Sequence, residues 1–199
     1  MVAIVDYGVG NLFSLESSFA AIGAEVIITA DADVLRGADQ IILPGVGAFG
    51  DAAEKLRRTG LDGVLKELAA AGKPLMGICL GMQLLFEKSY EYGEHEGLGI
   101  LKGQVVGMSG RLPADLKIPH MGWNALTLTK PARLLEEGSY VYFVHSFYAE
   151  NCEDSIAAVT DYGIPITAAV EKGNVFGCQF HPEKSGNVGL GILKKFCEA

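Results

Sequence analysis

The stretch Lys73-Pro74-Leu75-Met76-Gly77-Ile78-Cys79-Leu80-Gly81-Met82-Gln83-Leu84-Leu85-Phe86 decides how this chain folds. Pro74 suits the first position of a strand, and Leu75 to Ile78 read as its buried body. At Cys79 the period changes, and Leu80, Leu84 and Leu85 follow helical spacing. Cys79 therefore sits on a sharp strand-to-helix turn, with Gly77 and Gly81 two residues to either side. This G-x-C-x-G pattern is the cysteine form of a nucleophile elbow. Small neighbours are needed because the turn brings the helix close to its strand. The turn lifts the sulfur out of the sheet, and a helix N-terminus aimed at it favours thiolate. The backbone N–H of Leu80 is left to face a developing oxyanion. A cysteine in an apolar run is also a common core residue. The catalytic assignment therefore needs a histidine and an orienting carboxylate elsewhere.

Upstream, Val2 to Val5, Val26 to Thr29 and Gln40 to Leu43 read as short strands. Leu12, Leu15, Phe19 and Ile22 mark a helix that Asn11 can cap and Gly23 ends. Gly8 and Gly10, with Asp31 and Asp33 further on, make an incomplete dinucleotide fingerprint. Phe13 stands where its third glycine belongs, and no cofactor is expected. The loop Pro44-Gly45-Val46-Gly47-Ala48-Phe49-Gly50 lacks the Lys-Ser/Thr of a phosphate loop. It reads either as a tight turn or as backbone that offers N–H groups to a ligand. Like Cys79 it follows a strand, so both belong to the carboxyl edge of a parallel sheet, where such folds bind ligands. Asp51 opens a helical region, and Leu61, Val64, Leu65 and Leu68 mark a further helix ended by Gly72.

Downstream, Glu87 to Gly99 reads as a polar loop. Strands then dominate: Leu101 to Val106, Trp123 to Thr129, Tyr140 to Val144, Ile156 to Asp161, Ile164 to Val170 and Val175 to Phe180. Lys172-Gly173-Asn174 joins the last two as a hairpin. A closing helix is expected over about Val188 to Phe196. The expected architecture is α/β: an open, mixed, mostly parallel sheet flanked by helices, with a smaller antiparallel layer. Residues 1–199 read as a single domain without linker or repeat.

The chain's 199 residues are 49% apolar and 20% charged, ordinary for a globular protein. A net charge of −8 argues against nucleic acid or an anionic membrane as partner. No apolar run is long enough to span a bilayer, and the N-terminus reads as a strand rather than a signal, which points to the cytoplasm. Cys79, Cys152, Cys178 and Cys197 show no metal-ligand spacing, so no metal site is expected.

Of the four histidines, His95 lies between Glu94 and Glu96 and reads as a solvated surface residue. His120 sits in an apolar turn, and His145 ends a strand where a core histidine is the default. His181 differs, because Pro182 and Glu183 follow it. Pro182 forces extended backbone, and residues two apart then point to the same side. Glu183 can hold one imidazole nitrogen while the other faces a nucleophile, the arrangement of base and orienter in nucleophilic catalysis.

With these residues assembled, the chain resembles a class I glutamine amidotransferase. Gly77-Ile78-Cys79-Leu80-Gly81-Met82-Gln83 and Gln179-Phe180-His181-Pro182-Glu183 match that family's two signatures. Five further blocks are similar to one branch of it, the glutaminase subunits of imidazole glycerol phosphate synthases. They are Asp6 to Leu12, Pro44 to Gly50, Ile118 to Asn124, Tyr142 to Ser146 and His181 to Ser185.

The resemblance implies that Cys79 attacks the side-chain amide of L-glutamine, with His181 as acid and base and Glu183 as its orienter. It implies an oxyanion hole from Leu80 and the Val46-Gly47 loop. Glutamine would be bound by Gly47, Gln83 and the backbone around His145 and Ser146. It also implies a heterodimer with a (β/α)8-barrel cyclase that receives the ammonia for histidine biosynthesis. Asn11, His120, Met121, Trp123 and Lys184 would face that partner. The same fold also serves anthranilate or pyridoxal phosphate synthesis and stand-alone cysteine hydrolases.

Overall fold

The apolar runs ahead of the elbow are four-residue strands in the computed structural model, which describes residues 1–199. They are β1 (Val2–Val5), β2 (Val26–Thr29), β3 (Gln40–Leu43) and β4 (Leu75–Ile78). Helices α1 (Leu12–Ala21), α2 (Ala32–Gly37), α3 (Phe49–Thr59) and α4 (Leu61–Ala70) connect them, and α5 (Leu80–Leu84) follows the elbow. The second half adds β5 (Lys88–Ser89), β6 (His95–Glu96), β7 (Gln104–Gly107), β8 (His120–Ala125) and β9 (Thr127–Leu128). Then come β10 (Tyr140–His145), β11 (Phe147–Glu150), β12 (Ile156–Asp161), β13 (Pro165–Lys172), β14 (Val175–Cys178) and α6 (Gly186–Cys197).

Eight strands form the main sheet in the order β2-β1-β3-β4-β14-β13-β12-β9. Its first five strands are parallel and its last three antiparallel. A ribbon of β8 and β10 and a small sheet β11-β7-β5-β6 complete the mixed architecture expected from the sequence. Strand alternation divides the core between two faces. Ala3, Val5, Ile41, Leu43 and Leu75 pack with Leu56, Leu65 and Leu84 of α3, α4 and α5. Val2, Ile4, Ile42, Met76 and Ile78 pack with Leu15 and Phe19 of α1 and with Leu193 and Phe196 of α6.

Several boundaries differ from the sequence reading. The stretch from Trp123 to Thr129 is two strands because the chain changes sheets at buried Leu126. Ahead of it β8 pairs with β10, and beyond it β9 pairs with β12. The short helix α2 buries only Leu35, too little to leave a period. Asp31 is its cap and accepts from the N–H groups of Asp33 and Val34, which accounts for the acidic pair without a nucleotide. Asn11 occupies the first cap position of α1, but its side chain makes no capping bond. Strand β14 ends at Cys178, and the His181 N–H bonds to the Tyr142 carbonyl of β10. The segment from Glu87 to Gly99 contains β5 and β6. His95 is half-buried there, with its ring against Gly50 of α3 rather than in solvent.

The elbow is seated in a trough of glycine. Gly77 and Gly177 lie opposite one another in the β4–β14 pair. A Cβ on Gly77 would stand 2.5 Å from the Gly81 carbonyl oxygen, and one on Gly177 2.6 Å from Met82 Cγ. A Cβ on Gly81 would stand 1.9 Å from the Leu43 carbonyl oxygen. Helix α5 thus lies directly on backbone, and the obstacles at Gly81 cannot rotate away. Gly81→Ala is expected to destabilise the chain by about 3 kcal/mol or more, the upper range for overpacking. Urea unfolding would read this as a lower midpoint, and an unchanged midpoint would contradict the trough.

Candidate active site

Strand register brings the two distant segments together. Ile78 lies opposite Cys178, and the Cys79 N–H extends that ladder by donating to the Cys178 carbonyl at 2.7 Å. Cys79 then turns off the sheet with φ 53° and ψ −111°. A side chain in such backbone costs about 1–3 kcal/mol and is typical of a functional turn. The helix that follows is only five residues long, and Leu85 and Phe86 already lie beyond it. Its dipole is therefore smaller than the leucine spacing suggested.

His181 stands two residues beyond Gln179 on the neighbouring strand end. Its backbone is fixed by the Tyr142 carbonyl at 2.9 Å, and Ser185 Oγ donates to its own carbonyl at 2.6 Å. Its Nδ1 meets Glu183 Oε1 at 2.7 Å, with both side chains buried. The second carboxylate oxygen, Oε2, is buried without a partner. With Nδ1 engaged, Nε2 is the nitrogen left for Cys79. Burial opposes charge on His181, but hydrogen bonds to Cys79 and Glu183 and the charges of both outweigh it. The imidazole is raised from 6.5 to about 9. At neutral pH the ring holds its proton.

Cys79 and His181 share a cavity of about 340 Å³, the size range of small-ligand sites. Leu80, Val46, Gly47, Gln83, His145, Ser146 and Lys184 also line it, and Glu183 stands behind His181. The backbone N–H groups of Val46 and Gly47 make no bond to another backbone carbonyl. Gly47 has φ 89°, and nothing would touch a Cβ there, so the loop is held by little besides its ends. Gln83 Nε2 donates to the Phe147 carbonyl at 3.1 Å.

Four lining residues were not among the expected site residues: Val144 and Phe147, which flank His145 and Ser146, and Glu91 and Tyr92. Glu91 Oε2 accepts the Phe49 N–H at 2.7 Å. Burial raises its carboxyl, and the bond from Phe49 partly offsets this. The signal was a carboxylate between two tyrosines, Tyr90 and Tyr92, in an otherwise polar segment.

Met121 and Trp123 are 60% and 53% exposed, and Lys184 is exposed at the cavity. Asn11 is half-buried. His120 does not join them. Alternation along β8 turns it inward, where it is 0% exposed and stacks between Phe143 and Tyr162. Its Nδ1 meets His145 Nε2 at 3.0 Å and its Nε2 meets Asn124 Oδ1 at 2.8 Å. His145 Nδ1 donates to the Phe147 carbonyl at 2.8 Å. Burial pushes His145 down to about 3, so it is neutral and Nε2 is its acceptor. His120 thus links the exposed strand to the cavity wall from inside.

Solved structures share this fold. A crystal structure described as glutamine amidotransferase matches with TM-score 0.77 at 20% identity, over 99% of this chain and 100% of that one. PurLQS from Thermotoga maritima matches with TM-score 0.76 at 23% identity, over 99% and 97%. The family described as Glutamine amidotransferase class-I matches residues 3–199, and the chain belongs to that family. It is an enzyme of the glutamine amidotransferase class. It is 54% identical over 202 residues to the imidazole glycerol phosphate synthase subunit HisH of Caldanaerobacter subterraneus subsp. tengcongensis, covering 100% of this chain and 98% of the relative. The protein of the same name from Wolinella succinogenes is 50% identical over 203 residues, covering 100% and 99%.

A raised imidazole couples the site to stability. The His181 value lies above the ordinary 6.5, so proton binding favours the folded chain. That contribution, on the order of 3 kcal/mol, is complete below pH 6.5 and is lost as pH rises through about 9. Urea midpoints should fall across this window, and Glu183→Gln should flatten the fall. Parallel profiles for the two proteins would show that Glu183 does not hold the imidazole charged.

Proposed function

We propose that this chain is the glutaminase subunit of an imidazole glycerol phosphate synthase, with Cys79, His181 and Glu183 as its catalytic residues. The observation that carries the reading is the β4–β14 register, which sets an elbow cysteine beside a histidine already paired with a carboxylate. The relatives at about half identity over their full length support the choice of reaction.

In this reading glutamine enters with its α-ammonium toward Glu91 and its side-chain amide over the sulfur. The sulfur attacks the amide carbon while His181 carries the proton of the pair. The carbonyl oxygen becomes an oxyanion and takes N–H donation from Leu80 and from the loop at Val46-Gly47. Gln83, whose Nε2 is committed to Phe147, offers its Oε1 to the substrate, beside the backbone of His145 and Ser146. The tetrahedral intermediate collapses, the C–N bond breaks, and His181 gives its proton to the departing ammonia. The neutral imidazole then takes a proton from water as that water attacks the thioester. The C–S bond breaks, glutamate leaves, and His181 is charged again. Glu183 supports that charge through Nδ1.

Ammonia in water is mostly ammonium, which has no lone pair to attack with. It must therefore pass dry to a second site on a cyclase partner. We assign the mouth of the cavity, with Asn11, Met121, Trp123 and Lys184, as the face for that partner, a (β/α)8 barrel. The whole chain acts as one domain in the cytoplasm. A glutaminase working alone would waste its substrate. The loosely held loop at Val46-Gly47 is therefore taken to become catalytically set only in the loaded complex.

Three measurements test this. Glutamine hydrolysis should rise on adding the cyclase loaded with its ligand, and equal rates with and without it would remove the gating role of the loop. Cys79→Ala should abolish hydrolysis, and Glu183→Gln should lower kcat by about 10⁴-fold, as for other orienting carboxylates. Trp123→Ala should weaken association by about 30-fold, the effect of losing one buried aromatic anchor, read by titration calorimetry. Full hydrolysis by Cys79→Ala would end the proposal.

A further inference from the structure

We infer that Gln179 is a positioning residue for the nucleophile, its side-chain N–H holding the Cys79 sulfur in the attacking orientation. The inference rests on the glutaminase reading above and concerns a group that does not itself touch substrate. Gln179 is 0% exposed and is absent from the cavity wall. It follows β14 directly, so the register that aligns Ile78 with Cys178 sets it beside Cys79.

Hydrogen-bond logic fixes which end of its amide faces the sulfur. The Phe147 carbonyl can only accept, so the Gln83 nitrogen 3.1 Å away must be its donor. That same Nε2 lies 3.0 Å from Gln179 Oε1, which must therefore be the acceptor. The remaining end of Gln179, Nε2, stands 3.8 Å from Cys79 Sγ. Reversing Gln83 would set its oxygen against a carbonyl, and reversing Gln179 would set two NH2 groups together. A backbone carbonyl thus dictates, through two buried amides, that an N–H points at the sulfur.

Apart from His181 and Gln179, the polar atom beside the sulfur is the Val144 carbonyl oxygen, 4.0 Å away. It can accept from a thiol and gives nothing to an anion. Of these two neighbours, Val144 can only accept from an S–H, whereas Gln179 can donate to a sulfur anion beside His181. Donation to an anion is the stronger of the two. When the thioester forms the sulfur loses its charge and this donation weakens. When the C–S bond breaks the donation returns, so the amide orients the sulfur before attack and assists its release. The titratable groups facing the sulfur are His181, backed by Glu183, and Tyr7, with His145, Glu91, Tyr92 and Lys184 lining the cavity.

Two substitutions separate positioning from packing. Gln179→Glu keeps the length and the acceptor for Gln83 but replaces the donor at the sulfur with oxygen. Gln179→Met keeps the volume and removes both polar ends. The full chain would be alkylated with iodoacetamide from about pH 5 to about pH 10, a range that brackets reactive thiols. Modification of Cys79 would be followed by peptide mass spectrometry. The pH of half-maximal rate should rise by about one unit in Gln179→Met and by more in Gln179→Glu. In the complex with the cyclase, kcat should fall about tenfold in Gln179→Met with KM within about twofold. Alkylation profiles that superimpose on wild type would overturn the inference, whatever happens to kcat. Loss of the fold in both variants, seen by circular dichroism, would also overturn it by assigning Gln179 to the core. A glutamine-like chloroketone tested on the wild-type chain keeps the two readings apart. If it modifies Cys79 no faster than iodoacetamide does, the glutaminase reading fails, while the iodoacetamide profiles still report on Gln179.

Discussion

The pairing of β4 with β14 is the constraint on which the rest depends. The two strands are about a hundred residues apart in sequence, yet they lie side by side and point the same way. Each ends at the same level of the sheet, so the residues just past each end are neighbours. A slip of one residue would turn Cys79 to the wrong face, since side chains alternate along a strand. Beside this pair lies β3, whose loop carries Val46 and Gly47. Three adjacent parallel strands therefore deliver the Cys79 sulfur, the His181 imidazole and the free backbone amides to one edge.

Around this edge the electrostatics work against burial. An isolated imidazole as deeply buried as His181 would stay neutral, as His145 does. His181 behaves in the opposite way because the Cys79 sulfur and the Glu183 carboxylate, the latter bonded to Nδ1, both favour its charged form. The two histidines lie in one cavity wall and differ in their partners. His145 bonds to a backbone carbonyl and another imidazole, which lend no charge. Proton position in this site is thus set by neighbours more than by depth.

Much of this was legible in the sequence, for reasons that differ by residue. The change of period at Cys79 and its flanking glycines report directly on local backbone, so the elbow could be read from fourteen letters. Pro182 made the geometry of His181 and Glu183 local as well. The sheet order was not local, and no pattern in either segment states that β14 lies next to β4. Gly177 carried no signal for the same reason, since what it avoids is Met82, on α5 far back in the chain. His120 was misplaced because a turn of apolar residues was expected where β8 runs as a strand, and alternation then decides inside from outside. Glu91 lay in a stretch whose polarity looked like solvent exposure, but its carboxylate bonds across the cavity to α3.

The glycine trough has a consequence for how such a chain can change over time. The sulfur hangs from a turn seated at Gly77 and Gly81 against main-chain atoms of Leu43, Pro44, Gly81 and Met82, with no room for a side chain at either glycine. Chemistry at the tip is therefore freer to vary than the cradle beneath it. A lineage can exchange the atom at the tip and still fold, whereas each step that adds bulk to the cradle weakens the whole molecule. Descendants that abandon the reaction should carry the outline of the turn long after its purpose has gone.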